Sequence, residues 1–411
     1  MMGANMRPPI TACALLGLCL ACSTAAPGPS LLLAYPGHAA GPGFTPTAVR
    51  VATSPDGLAW TDAQLPDAAD PASIRGVGAA AHEATGTERL VAWVAGGSDT
   101  VFRYALGTAW ESATGVHHNH ITATSGDPES LAWDSPPSLV HWKEGAWVMV
   151  QRTDGSTQTF LYNQGSATTT PLPGIVPAGV PVRHRPVIAR DGARFVIALG
   201  SIGTRGTPPL QMVTGTITDE AFQPAPGLVT PIRQGTSGAT ADPVVTRPDD
   251  LNARYFVTTD ACLAADGHGK FLLGFVESAA RVDAVANQTL TPTTGEQRVK
   301  LFVAEASTLP TAANPQNQVQ WTPWATIPLT GEQGGHPLYL QCAFRPATSR
   351  EAIVFVTGGD VGGARGFALV PPQAGRPVYQ SLPPAAMSAA FPLVPSQGAF
   401  SLIPVGPTTA F

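Results

Sequence analysis

One coarse pattern returns along this chain about every 45–50 residues, and few folds can accommodate such a period. Each unit opens on an apolar run, usually headed by proline. A Gly or Asp turn follows, then a second run rich in aromatic and β-branched residues, a Gly-rich loop, and two further short runs. Pro137–Trp142, the Lys143-Glu144-Gly145 turn, Ala146–Arg152 and Thr157–Tyr162 make one such unit. Pro186–Ala189, the Arg190-Asp191-Gly192 turn, Arg194–Gly200 and Leu210–Thr218 make the next. The 43 glycines and 41 prolines fall largely at the breaks between runs, which marks many short strands rather than disorder. Val148–Val150 and Phe195–Ala198 are continuously apolar, as strands covered on both faces are. No long stretch beyond the N-terminus has helical periodicity. The reading is an all-β chain of stacked, similar sheets.

The stretch Ala52–Asp62, ATSPDGLAWTD, is a strand, a tight turn and a second strand. Pro55 presets φ, Asp56 can accept bonds from its own backbone, Gly57 can take φ > 0, and Trp60 offers a large apolar face to cover the turn. Ser54, Asp56, Gly57 and Trp60 resemble the Asp box of sialidase-like (BNR-type) β-propellers, in the form with glycine directly after the aspartate. In that family the box joins the third and fourth strands of a blade and lies away from the central site. The resemblance implies a β-propeller, with the box as a folding device.

On that frame the first unit is Leu31–Tyr35, Ala48–Thr53 and Leu58–Thr61, and it lacks an opening strand. The second begins at Val77–His82, and the sixth at Pro337–Phe344. The fifth is longer, with Pro243–Thr246 as its opening strand and Ala279–Gln297 as a polar surface insertion. Phe391–Val394, the Ser396-Gln397-Gly398 turn and Phe400–Val405 then look like the opening of another unit, and the simplest closure joins it to the N-terminal strands to complete the first. Pairing the two chain ends would remove an exposed sheet edge. The expected architecture is six blades in a single domain over 31–411, with five or seven the other counts the pattern admits.

Residues 1–21 read as a targeting segment, with Arg7 before the apolar run Ile10–Ala21, which is short for a membrane span. Cys19-Leu20-Ala21-Cys22 resembles a bacterial lipoprotein signal, which makes Cys22 the lipid-bearing residue and 22–30 a tether. Secretion with cleavage near Ala26 is the alternative. Either way the protein is exported: lipid-anchored to the cell envelope, or secreted. Cys262 and Cys342 are then the remaining pair, read as a disulfide, with two buried free thiols as the other state.

The openings of the innermost strands of a propeller converge on one end of its channel. Here they bring Arg75, Asp134, Arg183, Arg185, Asp242 and His336 to equivalent positions. Asp134 and Asp242 are the candidate catalytic carboxylates for a glycosidic bond. Arg75, Arg183, Arg185 and His336 are the candidate ligand-binding groups, arginine offering a fork for a carboxylate or sulfate. The competing reading of each Asp-Pro or Arg-Pro is ordinary turn chemistry at a strand start. His117-His118-Asn119-His120 has too few companions for a metal centre and reads as an exposed loop. Asp260 and Asp266 flank Cys262 in a loop-like stretch, 259–270, without the spacing of a known calcium loop. Trp133, Trp142, Trp147, Trp321 and Trp324 could stack sugars, but most fit packing between blades better.

No cofactor or metal is expected. A net charge of −5 without a basic cluster argues against nucleic acid. Set against catalytic sialidases, the chain has no Arg-Ile-Pro element and no assignable Tyr–Glu pair. Two functions follow: a non-catalytic envelope protein, expected as a monomer, that binds a glycan or a surface protein; or a secreted glycoside hydrolase, sialidase-like or arabinanase-like, using Asp134 and Asp242.

Overall fold

Arg194–Gly200 shows why these segments become strands: every residue after Arg194 is buried, so both faces of the ribbon are covered. Such a ribbon needs a neighbour on each side and hydrogen-bonded strands along both edges. The computed structural model describes residues 30–37, 48–69, 73–81, 89–96, 104–112, 115–121, 137–143, 145–151, 157–163, 168–172, 175–176, 185–200, 210–218, 221–229, 232–233, 242–243, 255–282, 290–329, 339–346, 350–357, 365–371, 378–382 and 400–405. Residues 1–29, with the expected signal, tether and Cys22, lie outside them.

The described strands form six sheets. The first holds β1 (Ser30–Gly37), β2 (Ala48–Ser54) and β3 (Thr61–Ala69). The second holds β4 (Ser73–Ala81), β5 (Arg89–Gly96), β6 (Tyr104–Ser112) and β7 (Gly115–Ile121). The third holds β8 (Ser138–Trp142), β9 (Gly145–Gln151), β10 (Thr157–Asn163) and β11 (Thr168–Pro171). The fourth holds β12 (Val187–Asp191), β13 (Arg194–Gly200), β14 (Leu210–Ile217) and β15 (Phe222–Pro224). The fifth has six strands: β16 (Ile232–Arg233), β17 (Asp242–Pro243), β18 (Tyr255–Ala265), β19 (Lys270–Val282), β20 (Leu290–Glu305) and β21 (Gln320–Pro328). The sixth holds β22 (Tyr339–Phe344), β23 (Ala352–Thr357), β24 (Arg365–Leu369) and β25 (Tyr379–Ser381). The last strand, β26 (Ser401–Val405), pairs antiparallel with β1, Leu33 opposite Leu402, and becomes the innermost strand of the first sheet.

The sheets stand in a ring. β26 touches β4, β4 touches β8, β8 touches β12, β12 touches β18, β18 touches β22, and β22 touches β26. The described buried apolar side chains fall into six clusters, one in each joint between neighbouring sheets. This is a β-propeller: separate, mostly antiparallel sheets joined through side chains rather than through one continuous ladder. Each large side chain buried in a joint contributes about 1.5–3 kcal/mol. The joint between the third and fourth sheets is aromatic, with Phe222 4.2 Å from Trp142 and 4.1 Å from Trp147, both edge-on. Trp321 packs in the fourth-to-fifth joint and Trp324 in the fifth-to-sixth.

Inner strands of neighbouring sheets share no ladder, so polar side chains and close approaches connect them. A Cβ on Gly78 of β4 would lie 2.0 Å from the Pro137 carbonyl oxygen, so only glycine fits there. Ser138 Oγ accepts from the Ile188 N–H at 3.0 Å, joining the third sheet to the fourth. Gln341 Oε1 accepts from Leu402 N–H at 3.4 Å, joining the sixth to the first.

Four readings of the sequence are corrected. Asp242–Pro243 does not open the innermost strand of the fifth sheet. It pairs with Ile232–Arg233 at the far edge, where a proline without an N–H costs least. The innermost place goes to β18, whose residues 259–265 continue as strand past a bulge between Thr258 and Asp260 rather than forming a loop. Residues 279–282 and 290–297 are strand too, extending the β19–β20 hairpin, with Arg281 opposite Thr291. Finally, His117–His120 is not a loop but part of β7, His118 opposite Ala109 and His120 opposite Gly107.

Candidate functional site

The turn at Ser54–Trp60 joins the third and fourth strands of the first sheet. Its bonds are local. Asp56 Oδ1 accepts from the Leu58 N–H at 2.8 Å, the Ala59 N–H at 3.2 Å and the Ser54 hydroxyl at 3.1 Å. The Gly57 N–H donates to Ser54 Oγ at 2.8 Å, and the Trp60 indole N–H to the Gly57 carbonyl at 3.1 Å. Burial alone would raise the Asp56 carboxyl. The Leu58 and Ala59 amides, the Ser54 hydroxyl and the charge of Arg345 outweigh it and hold the group below the ordinary carboxylate range. The turn docks on the sixth sheet: Arg345 Nε donates to the Asp56 carbonyl at 2.8 Å, and Trp60 lies 5.7 Å from Phe355.

Gly57 sits at φ +78°, and a Cβ there would lie 2.6 Å from Ile353 Cγ1. Gly57→Ala therefore combines left-handed strain with overpacking and is expected to cost about 2 kcal/mol. Urea denaturation checks this, and a loss below about 0.5 kcal/mol would mean that Ile353 gives way freely.

A cavity of about 350 Å³ lies at the C-terminal ends of the inner strands. Its walls are small and apolar: Ala79–Ala81, Leu139–Val140, Ile188–Ala189, Leu263–Ala265 and Leu402–Val405. Its polar groups are His141, Arg190, Asp266 and His268. Arg190 is anchored on backbone, donating to the Gly192 carbonyl at 2.7 Å and the His141 carbonyl at 2.9 Å. Asp266 Oδ1 accepts from the His268 N–H at 2.8 Å and the Lys270 N–H at 2.9 Å, closing the β18–β19 turn. The sequence places Asp191 in a turn and Asp266 in a loop-like stretch flanking Cys262. That the two turns meet beside one cavity depends on contact between sheets, which no local pattern carries.

The end formed by the strand openings is described in part. Arg185, at the start of β12, and Asp260, in β18, are 5% and 3% exposed. Arg185 Nε lies 3.4 Å from Asp260 Oδ1, and its terminal nitrogen donates to the Leu340 carbonyl at 2.9 Å. Asp260 Oδ2 accepts from the Leu340 N–H at 2.7 Å. The Arg185 guanidinium thus ties the fourth, fifth and sixth sheets together, where a ligand-binding role had been expected of it. Two residues further along the same strands, Cys262 and Cys342 form a disulfide with Cα atoms 5.9 Å apart.

Asp134, Arg183 and His336 lie outside the described residues. Arg75 is placed by its backbone at the bulge in β4. Asp242 stands at the outer edge of the fifth sheet, so it shares no inner-strand position with the residues grouped with it. Among the described residues no three His, Cys, Asp or Glu side chains gather in a way that could hold a metal ion.

No family model matches the chain, and no curated protein matches it. Among solved structures it is similar to AofleA from Arthrobotrys oligospora, with TM-score 0.42 and 8% identity over 89% of this chain and 84% of that one. It is similar to the periplasmic gluconolactonase PpgL of Pseudomonas aeruginosa, with TM-score 0.41 and 14% identity over 92% and 86%. It is also similar to the SapL1 lectin in complex with alpha methyl fucoside, with TM-score 0.40 and 13% identity over 82% and 91%.

Proposed function

We propose that the chain is an exported, non-catalytic β-propeller, lipid-anchored through Cys22, that binds a glycan or another surface protein at a face of the ring. Six sheets and the β26–β1 ladder support a six-bladed count sealed by the chain ends. The local bonds of Ser54, Asp56, Gly57 and Trp60 support reading that turn as an Asp box.

The observation that carries the non-catalytic reading is the state of Asp260 and Glu277, the acidic residues whose whole side chains are buried among the described residues. Asp260 is held by Arg185 and the Leu340 N–H. Glu277 is held by Arg298 at 2.7 Å and Lys300 at 3.2 Å. A glycosidase needs two carboxyl groups facing a sugar at about 5–10 Å, each able to exchange a proton or attack carbon. Asp260 and Glu277, held on cations and an amide, are not free to do this. Asp242, at an outer edge, removes half of the pair that sequence suggested.

The test is a broad glycan array with the protein made from Ser23 onward, followed by a reducing-sugar assay on each ligand found. Binding without release of sugar is the expected result. Release of reducing ends from any ligand would overturn the non-catalytic reading. Silence across the array would move the ligand class to protein.

A further inference from the structure

Two hairpin tips from neighbouring sheets meet at the rim of the cavity. One is the β12–β13 turn with Asp191, the other the β18–β19 turn with Asp266. The Gly269 N–H of the second tip donates to Asp191 Oδ2 in the first at 3.0 Å. Asp266 Oδ1 is satisfied by its own turn, but Asp266 Oδ2 is buried and has no donor. A buried carboxylate oxygen left without a donor is costly, and so are two carboxylates in contact. One proton removes both costs. Placed on the Asp191 oxygen that does not face Gly269, it donates to Asp266 Oδ2.

We propose that Asp191 and Asp266 share one proton and thereby latch these two hairpin tips together at the cavity rim, so that the rim is closed in acid and loosens as the proton is lost to water.

The surroundings fit. Burial raises the Asp191 carboxyl above the ordinary range, the charge and hydrogen bond of Asp266 raise it further, and the Gly269 and Gly267 amides only partly pull it back. Among the described residues the neighbouring charged or titratable groups stand on both hairpins and on β8, and a guanidinium nitrogen of Arg194 is buried without a hydrogen-bond partner. On its own hairpin Arg190 is bonded to carbonyls, and Arg194 is the cross-strand partner of Asp191. From β8 comes His141. From the facing hairpin come His268 and Lys270, whose backbone N–H groups hold Asp266, and Lys270 stands opposite Glu305 of β20. Because the folded-state value of Asp191 lies above its unfolded one, the latch's stability is whole below the ordinary carboxylate range. It is lost as pH rises through the raised midpoint.

Asp191→Asn supplies a permanent N–H donor to Asp266 Oδ2 while its amide oxygen keeps the Gly269 bond. Hydrogen exchange at the Gly269 amide, corrected for the intrinsic rate, reads the opening of the rim. In the unaltered protein the opening constant is expected to rise about tenfold per pH unit between the open-state and closed-state midpoints. In Asp191→Asn it stays flat over the same range. Equal slopes in the two proteins would overturn the proposal. Should the variant not fold, carboxyl carbon NMR of the unaltered protein decides. One aspartate of the pair titrating above the ordinary range supports the latch, and both titrating within it exclude it.

Discussion

Replacing Asp260 with alanine is expected to lower the unfolding free energy by about 3–5 kcal/mol, the range seen when one partner of a buried ion pair is removed. Three losses coincide. Arg185 keeps its charge in a buried site with its carboxylate gone. The Leu340 N–H loses its acceptor in a joint where no backbone ladder replaces it. The bulge between Thr258 and Asp260, which re-aims the strand at this point, loses the contact it serves. The double variant Asp260→Ala, Arg185→Met should recover much of the deficit, because the orphaned charge goes with its partner. Chemical denaturation of the single and double variants checks both statements. A single-variant loss below about 1 kcal/mol would mean that the pair is hydrated and behaves like a surface bridge.

The same two residues show what the sequence could and could not reveal. Ser54–Trp60 was legible because the side-chain bonds of Ser54, Asp56 and Trp60 that shape that turn close within four residues. The strand runs were legible too, because burial on both faces leaves continuous apolar segments such as Phe195–Leu199. The role of Arg185 was not, since its partners stand on β18 and β22, whole sheets away in sequence. Asp242 was misplaced for a related reason. A proline-headed segment resembles a strand opening, and its pairing with β16, which itself lies parallel to β21, has no local signature. His117–His120 shows the converse: neither histidine nor asparagine favours a strand, yet the ladder with β6 holds them in one. The Asp191–Asp266 contact was hidden because each residue alone is an ordinary turn aspartate.

The second large effect belongs to the disulfide. Cys262 and Cys342 are separated by 80 residues, and closing a loop of that length removes about 4–5 kcal/mol of chain entropy from the unfolded state. Cys262→Ala with Cys342→Ala is therefore expected to shift the denaturation midpoint about as far as Asp260→Ala, by a different route. The bridge acts on the unfolded chain, whereas the ion pair acts on the folded joint. The two are also coupled. Asp260 meets Leu340, and Cys262 meets Cys342, two residues on along both strands, so each bond helps keep the other in register. Without the disulfide, the fifth and sixth sheets can part at this joint without unfolding the rest of the ring, and Asp260→Ala should then cost more than it does in the oxidised protein. Denaturation of both aspartate forms with and without reductant completes the cycle. Additive losses would mean that the bridge and the ion pair act independently despite sharing two strands. Full alkylation of both thiols without reductant would mean that the cysteines are free, and would leave the joint resting on Asp260, Arg185 and the apolar cluster between the two sheets.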